Sequence, residues 1–183
     1  MFINTRVKKY LLTGLSYLVI FFVLSQGISW WKSRDAQTGN LSGFSAELMD
    51  GSRYVIPEFS EKPVLLHFWA TWCPVCDVQK GSVQSISGDY PVLTIASWSE
   101  GEDEVKKYMQ ENGLTFPVML DNSGQLAQDF GLKGVPASFI LSPNGEIKYV
   151  ETGYTTELGL RFRLWLSSLN ADNATDAAAD PAE

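Results

Sequence analysis

The chain has 183 residues, room for one domain of ordinary size plus appendages, and its 45% apolar and 19% charged content excludes a chain disordered throughout. The formal charge of −7 is unevenly spread: residues 1–34 hold Arg6, Lys8, Lys9, Lys32 and Arg34 and no carboxylate, so nine of the 14 basic residues face all 21 acidic ones from Asp35 onward. Such a domain repels phosphate backbones, and nucleic acid is excluded as a partner.

Residues 1–9 are short and basic, and from Tyr10 to Trp31 no formal charge occurs. About 20 such residues span the roughly 30 Å of hydrocarbon as a helix, so 10–31 is predicted to be a transmembrane anchor. Tyr10 at one end and Trp30 and Trp31 at the other suit the two interfaces, and Arg6, Lys8 and Lys9 place the N-terminus in the cytoplasm. Ser25-Gln26-Gly27 offers a small-x-small cleavage site, but the apolar run continues past it, which favours an uncleaved anchor. Residues 32–43 are polar, contain Gly and Ser, and are expected to form a linker.

The folded domain is expected over 44–169. Ser45–Met49 and Ser52–Ile56 flank Asp50-Gly51, the signature of a tight two-residue hairpin. Val64–Trp69 reads as a buried strand, Cys73 to Ser87 as a helix, and Val92–Trp98 as a second buried strand. Asp103–Asn112 has helical spacing and stops at Gly113. Alternating strands and helices of these lengths imply parallel pairing through crossovers. Phe116–Leu120 follows as a strand and Gln125–Phe130 as a short helix; Ala137–Leu141 and Ile147–Tyr154 flank the turn Ser142-Pro143-Asn144-Gly145. A last helix covers Thr156 to Leu169, and 170–183, without large apolar residues, is expected to be a disordered tail.

The two cysteines stand as Trp72-Cys73-Pro74-Val75-Cys76, directly after a strand and at the start of a helix. Residues i and i+3 share a helix face at a spacing that a disulfide accepts. As a staple, a loop of about four residues stabilises by only roughly 2 kcal/mol, and a structural zinc would want four ligands where the chain offers Cys73, Cys76 and its single histidine, His67. Redox use fits best. The helix N-terminus stabilises a thiolate on Cys73, making it the nucleophile and Cys76 the resolving thiol, and Pro74 suits a first turn whose N–H has no partner. Asp77 opposes that thiolate, and the spacing does not say by how much. Two thiolates also suit Cu(I), so a copper-binding or copper-tolerance module is the alternative.

Phe68-Trp69-Ala70-Thr71-Trp72-Cys73-Pro74-Val75-Cys76, with Gly134-Val135-Pro136 and Phe139-Ile140-Leu141-Ser142-Pro143-Asn144-Gly145 downstream, resembles the thioredoxin superfamily, and within it the membrane-tethered TlpA/ResA/DsbE-like branch. The segment 153–166 is further similar to the suppressor-of-copper-sensitivity D proteins. The resemblance implies an α/β thioredoxin-like fold, a central mixed sheet flanked by helices, with Asp103–Leu120 as the branch's helix–strand insertion. It implies a protein-disulfide oxidoreductase without cofactor or metal, set in the periplasm and acting on exported proteins with reactive cysteines. Its electron donor or acceptor would be a DsbD-like membrane protein. It also implies a cis Val135–Pro136 bond facing the cysteines, with Trp72, Pro74, Val75, Val135 and Pro136 shaping the substrate surface.

In two places the chain departs from its relatives: His67 stands where thioredoxins carry a buried aspartate, and Gln79 where reductive members of this branch often carry a glutamate. His67 is therefore a candidate for proton transfer at Cys76. The alternative is a core histidine satisfied by a hydrogen bond, or one facing the domain's other side.

Overall fold

The computed structural model describes residues 38–178. The residues expected to form the cytoplasmic N-terminus and the anchor lie outside this range, and among the described residues no helix is long and apolar enough to cross a membrane.

The central sheet comprises β3 (Val64–Trp69), β4 (Val92–Ser97), β5 (Val118–Asp121), β6 (Ala137–Leu141) and β7 (Ile147–Thr152), preceded by the hairpin β1 (Ser45–Glu47) and β2 (Arg53–Val55). The order is β5-β4-β3-β6-β7. β3, β4 and β5 run parallel, whereas β6 and β7 run antiparallel, giving the mixed sheet of a thioredoxin-like fold. Around it lie α1 (Pro74–Ser87), α2 (Glu102–Asn112), α3 (Gln125–Asp129) and α4 (Glu157–Ala178). The expected insertion is α2 with β5, which adds an edge strand beside β4.

Every residue of β3, β4 and β6 is buried, because both faces of these strands are covered. One face carries Leu65, Trp69 and Ile140 against Val83 and Ile86 of α1 and Leu160 and Leu164 of α4. The other carries Leu66, Phe68 and Phe139 against Phe130 and Ile56. Strand alternation sends His67 to the first face, with Leu65 and Trp69, toward α1.

Several boundaries differ from the sequence reading. Pairing begins within the expected linker: Leu41 is buried, its N–H donates to Gly145 O at 2.8 Å, and Ile147 N–H donates to Gly39 O at 2.8 Å. Residue 145 must be glycine there, since a Cβ would lie 2.8 Å from Ser42 N and its φ is +77°. The hairpin turn holds three residues, not two, because Leu48 N–H closes on Ser52 O at 2.8 Å while Met49 is drawn away to donate to Val118 O. Strand β4 stops at Ser97, as Trp98 takes φ +53°. The last helix runs past Leu169 to Ala178, so the tail expected to be disordered from residue 170 is helical as far as Ala178. Ala171, Ala174, Ala177 and Ala178 favour helix without supplying an apolar stripe from which to read one.

Asp121 ends β5 and is buried. Its carboxylate accepts from Ser97 Oγ at 2.8 Å and from the N–H groups of Leu126 and Ala127 at 3.1 and 3.0 Å, joining β4 to the start of α3. Asp121→Ala strands these donors and should cost about 2–3 kcal/mol in urea unfolding; a loss within about 0.5 kcal/mol would show the network to be incidental.

Candidate active site

Because β3 ends at Trp69 and Pro74 can open a helix, residues 70–73 form a short turn that delivers Cys73 to the N-cap of α1. Cys73 has extended backbone angles, and its Sγ accepts from Cys76 N–H at 3.1 Å. That is the unpaired donor expected to stabilise a thiolate. Cys73 and Cys76 are joined as a disulfide with Cα atoms 5.2 Å apart. Both are buried, at 4% and 2% exposure, whereas Trp72 (59%), Val75 (43%) and Val78 (68%) stand out around them. Pro74 is also exposed. The sulfurs thus lie beneath an apolar rim.

Across from Cys73, the Val135–Pro136 bond is cis, and Val135 O lies 3.7 Å from Cys73 Sγ. Pro136 O accepts from Gly153 N–H at 2.8 Å, which seats the proline at the head of β6. Trp72, Pro74, Val75, Val135 and Pro136 are therefore gathered around the sulfurs.

His67 is 3% exposed, pairs through Nδ1 with Ser138 Oγ at 2.9 Å, and lines a small cavity with Cys76, Trp69, Lys80, Val83, Leu114 and Phe116. It is a hydrogen-bonded core histidine that also shares a cavity with Cys76, and it does not face the other side. Burial pushes its pKa down to about 4, so the imidazole is neutral at physiological pH. Gln79 is fully buried and its Oε1 accepts from Thr155 N–H at 3.4 Å, while Gln79 Nε2 and Trp69 Nε1 have no hydrogen-bond partner among the described residues.

The carboxylate of Asp77 is countered. Its Oδ1 accepts from Lys80 Nζ in an ion pair and from Tyr108 OH at 3.0 Å, and these bonds, Lys80 first, hold its pKa below the usual carboxylate range. Burial and the neighbouring Asp77 push the Tyr108 hydroxyl up. Lys80 Nζ also reaches Asn112 Oδ1 at 2.6 Å. Asp77 is therefore ionised but paired, and its opposition to the Cys73 thiolate is offset.

Several contributors have no local signature. Thr71 Oγ1 donates to Glu104 Oε1 at 2.7 Å, Glu100 N–H donates to Glu104 Oε2 at 2.6 Å, and Trp72 Nε1 donates to Trp98 O at 2.7 Å. Only the helical spacing of Asp103–Asn112 placed Glu104 in a first turn, where a carboxylate suits the dipole. Nothing in the sequence pattern points to Ser138. Among the described residues no group of three or more His, Cys, Asp or Glu side chains is placed to hold a metal.

One sulfur at the tip of a helix and its partner one turn behind, closing and opening with little backbone movement, define a dithiol–disulfide exchange enzyme of thioredoxin fold. The chain belongs to the AhpC/TSA family, which it matches over residues 40–150, more than half its length. It is similar to sporulation thiol-disulfide oxidoreductase A of Bacillus subtilis (27% identical over 150 residues, 76% of this chain and 90% of that protein). It is likewise similar to thiol-disulfide oxidoreductase ResA of Geobacillus thermodenitrificans (25% over 168 residues, 88% and 92%). Among solved structures, the exposed lipoprotein thioredoxin Etrx1 of Streptococcus pneumoniae superposes with a TM-score of 0.58 at 25% identity, covering 67% of this chain and 98% of that one. The protein is a protein-disulfide oxidoreductase.

Proposed function

We propose that this oxidoreductase works as a reductant of exported proteins with reactive cysteines, held at the bacterial inner membrane by residues 10–31 with its thioredoxin-like domain in the periplasm. The Cys73 thiolate attacks a substrate disulfide, forming a mixed disulfide and releasing one substrate sulfur as thiolate. Cys76 then attacks Cys73 Sγ, releasing the second substrate thiol and closing the enzyme disulfide. Two electrons from a DsbD-like membrane dithiol reopen it.

The observation that carries the direction is the modest support for the thiolate: Cys73 Sγ accepts one backbone N–H, and the Lys80 ammonium, which lines a cavity with Cys76, is paired with Asp77. A dithiol oxidises strongly when its reduced form is strongly stabilised, so weaker stabilisation means a lower potential. The uncharged run 10–31 supports the location, as does the description of one similar protein as an exposed lipoprotein. His67, beside Cys76 and neutral, is assigned as the relay that passes the resolving thiol's proton, entering at one ring nitrogen and leaving from the other. An imidazole with a pKa of about 4 does not store that proton.

The test is the equilibrium of the full chain, purified in detergent, against glutathione. The expected potential lies nearer about −270 mV than about −120 mV. A value at the oxidising end reverses the direction. Stoichiometric Cu(I) binding without insulin reduction or glutathione exchange overturns the enzymatic reading in favour of copper capture.

A further inference from the structure

Trp98 is the one non-glycine residue with positive φ among those described, at +53°. A bulky side chain resists this left-handed conformation, so something must hold it. Its N–H still completes the ladder, donating to Asp121 O at 3.1 Å, but the left-handed turn swings its carbonyl out of the sheet. There the carbonyl accepts from Trp72 Nε1 at 2.7 Å.

What holds Trp98 is Gly124, itself at φ +70°, where any Cβ would overlap Nε1, Cε2 and Cδ1 of the Trp98 indole. The ring lies flat on a backbone stripped of its side chain. Gly124 is fixed in turn, since its N–H donates to Asp121 O at 2.8 Å. The neighbouring loop is stitched to the same turn, with Thr71 N–H donating to Ser99 Oγ at 3.3 Å and Glu104 bridging Thr71 and Glu100.

We propose that Trp98 is a positioning residue for substrate docking: seated on Gly124, it supplies the fixed carbonyl that holds Trp72 in place beside the buried Cys73. Trp72 is 59% exposed, and an exposed indole hydrogen-bonded at one edge offers a substrate one orientation of its apolar face where a free one offers many. The effect falls on how a protein substrate settles over Cys73, because the Cys76 N–H bond to Cys73 does not pass through Trp98. This inference rests on exchange with protein disulfides.

The test is a double-mutant cycle in the full chain with insulin as substrate. Trp98→Gly keeps a backbone that tolerates positive φ but removes the seated ring; Trp72→Phe removes the donor. For Trp98→Gly the KM should rise about fivefold, the scale of one lost hydrogen bond, with kcat within about twofold. The double variant should be no worse than the more damaged single variant, since both break one contact. Multiplying effects, an unaltered KM, or a loss confined to kcat would each overturn the proposal.

A measurement on the unaltered protein guards against a Trp98 variant that does not fold. The Trp72 indole proton, identified by the NMR signal missing in Trp72→Phe, should exchange with solvent slowly despite the exposed side chain; exchange at the free rate would refute the tether. Failure of the wild-type protein to reduce insulin would count against exchange itself, whereas turnover that ignores Trp98 would count only against this residue's role.

Discussion

Cys76→Ser should convert the enzyme into a trap: Cys73 still attacks a substrate disulfide, but nothing releases the adduct, so insulin reduction falls by a factor on the order of 10³ or more while a covalent complex accumulates. The asymmetry follows from the helix. Cys73 is the N-cap, and its Sγ receives the Cys76 N–H at 3.1 Å, whereas Cys76 lies one turn in at 2% exposure, against the cavity that it shares with His67. Cys73→Ser should lose turnover to the same degree and form no complex. Mass spectrometry of the quenched reaction separates the two, and a complex formed by Cys73→Ser instead would exchange the two roles.

His67 should make the fold acid-sensitive. The folded protein holds the imidazole neutral down to about pH 4, whereas the unfolded chain takes up a proton near the ordinary histidine value of 6.5. Stability from this group is complete above pH 6.5 and is lost as the pH falls toward 4, where the loss levels off. The depression amounts to about 3 kcal/mol. Urea unfolding of wild type and His67→Leu at pH 7.5 and pH 4 reads it as a difference, because carboxylates titrating in the same range are common to both. Equal losses in the two proteins would mean that the imidazole is protonated in the fold. The same variant tests the relay: resolution of a preformed mixed disulfide should slow at pH 7 in His67→Leu, and an unaltered rate removes His67 from the proton path.

Much of the fold and the central pair of sulfurs were readable in one dimension, because the signals are local. Val64–Trp69 is a dense apolar run, and burial of all six of its residues on two faces is what such a run predicts. Pro74 after Cys73 marks a helix start whatever packs against it. The failures occurred where a backbone obeyed a distant partner. Leu41 looked like linker because its binding site is the β6–β7 turn, and the Asp50-Gly51 hairpin widened because Met49 answers to Val118.

The chemistry of this protein is written in one short segment, since Cys-Pro-Val-Cys at a strand-to-helix junction has few other uses. Even the pairing across the site, Val135–Pro136 facing Cys73, was accessible through resemblance to a known motif. What surrounds the sulfurs comes from long-range packing: His67 shares a cavity with Cys76 and takes Ser138 as partner, Asp77 is paired with Lys80, and Trp72 hangs from Trp98. The reason is range. A helix cap or a buried strand is specified by neighbours within a few residues, but the hydrogen-bond partners of a buried histidine and of an exposed indole lie 71 and 26 positions away.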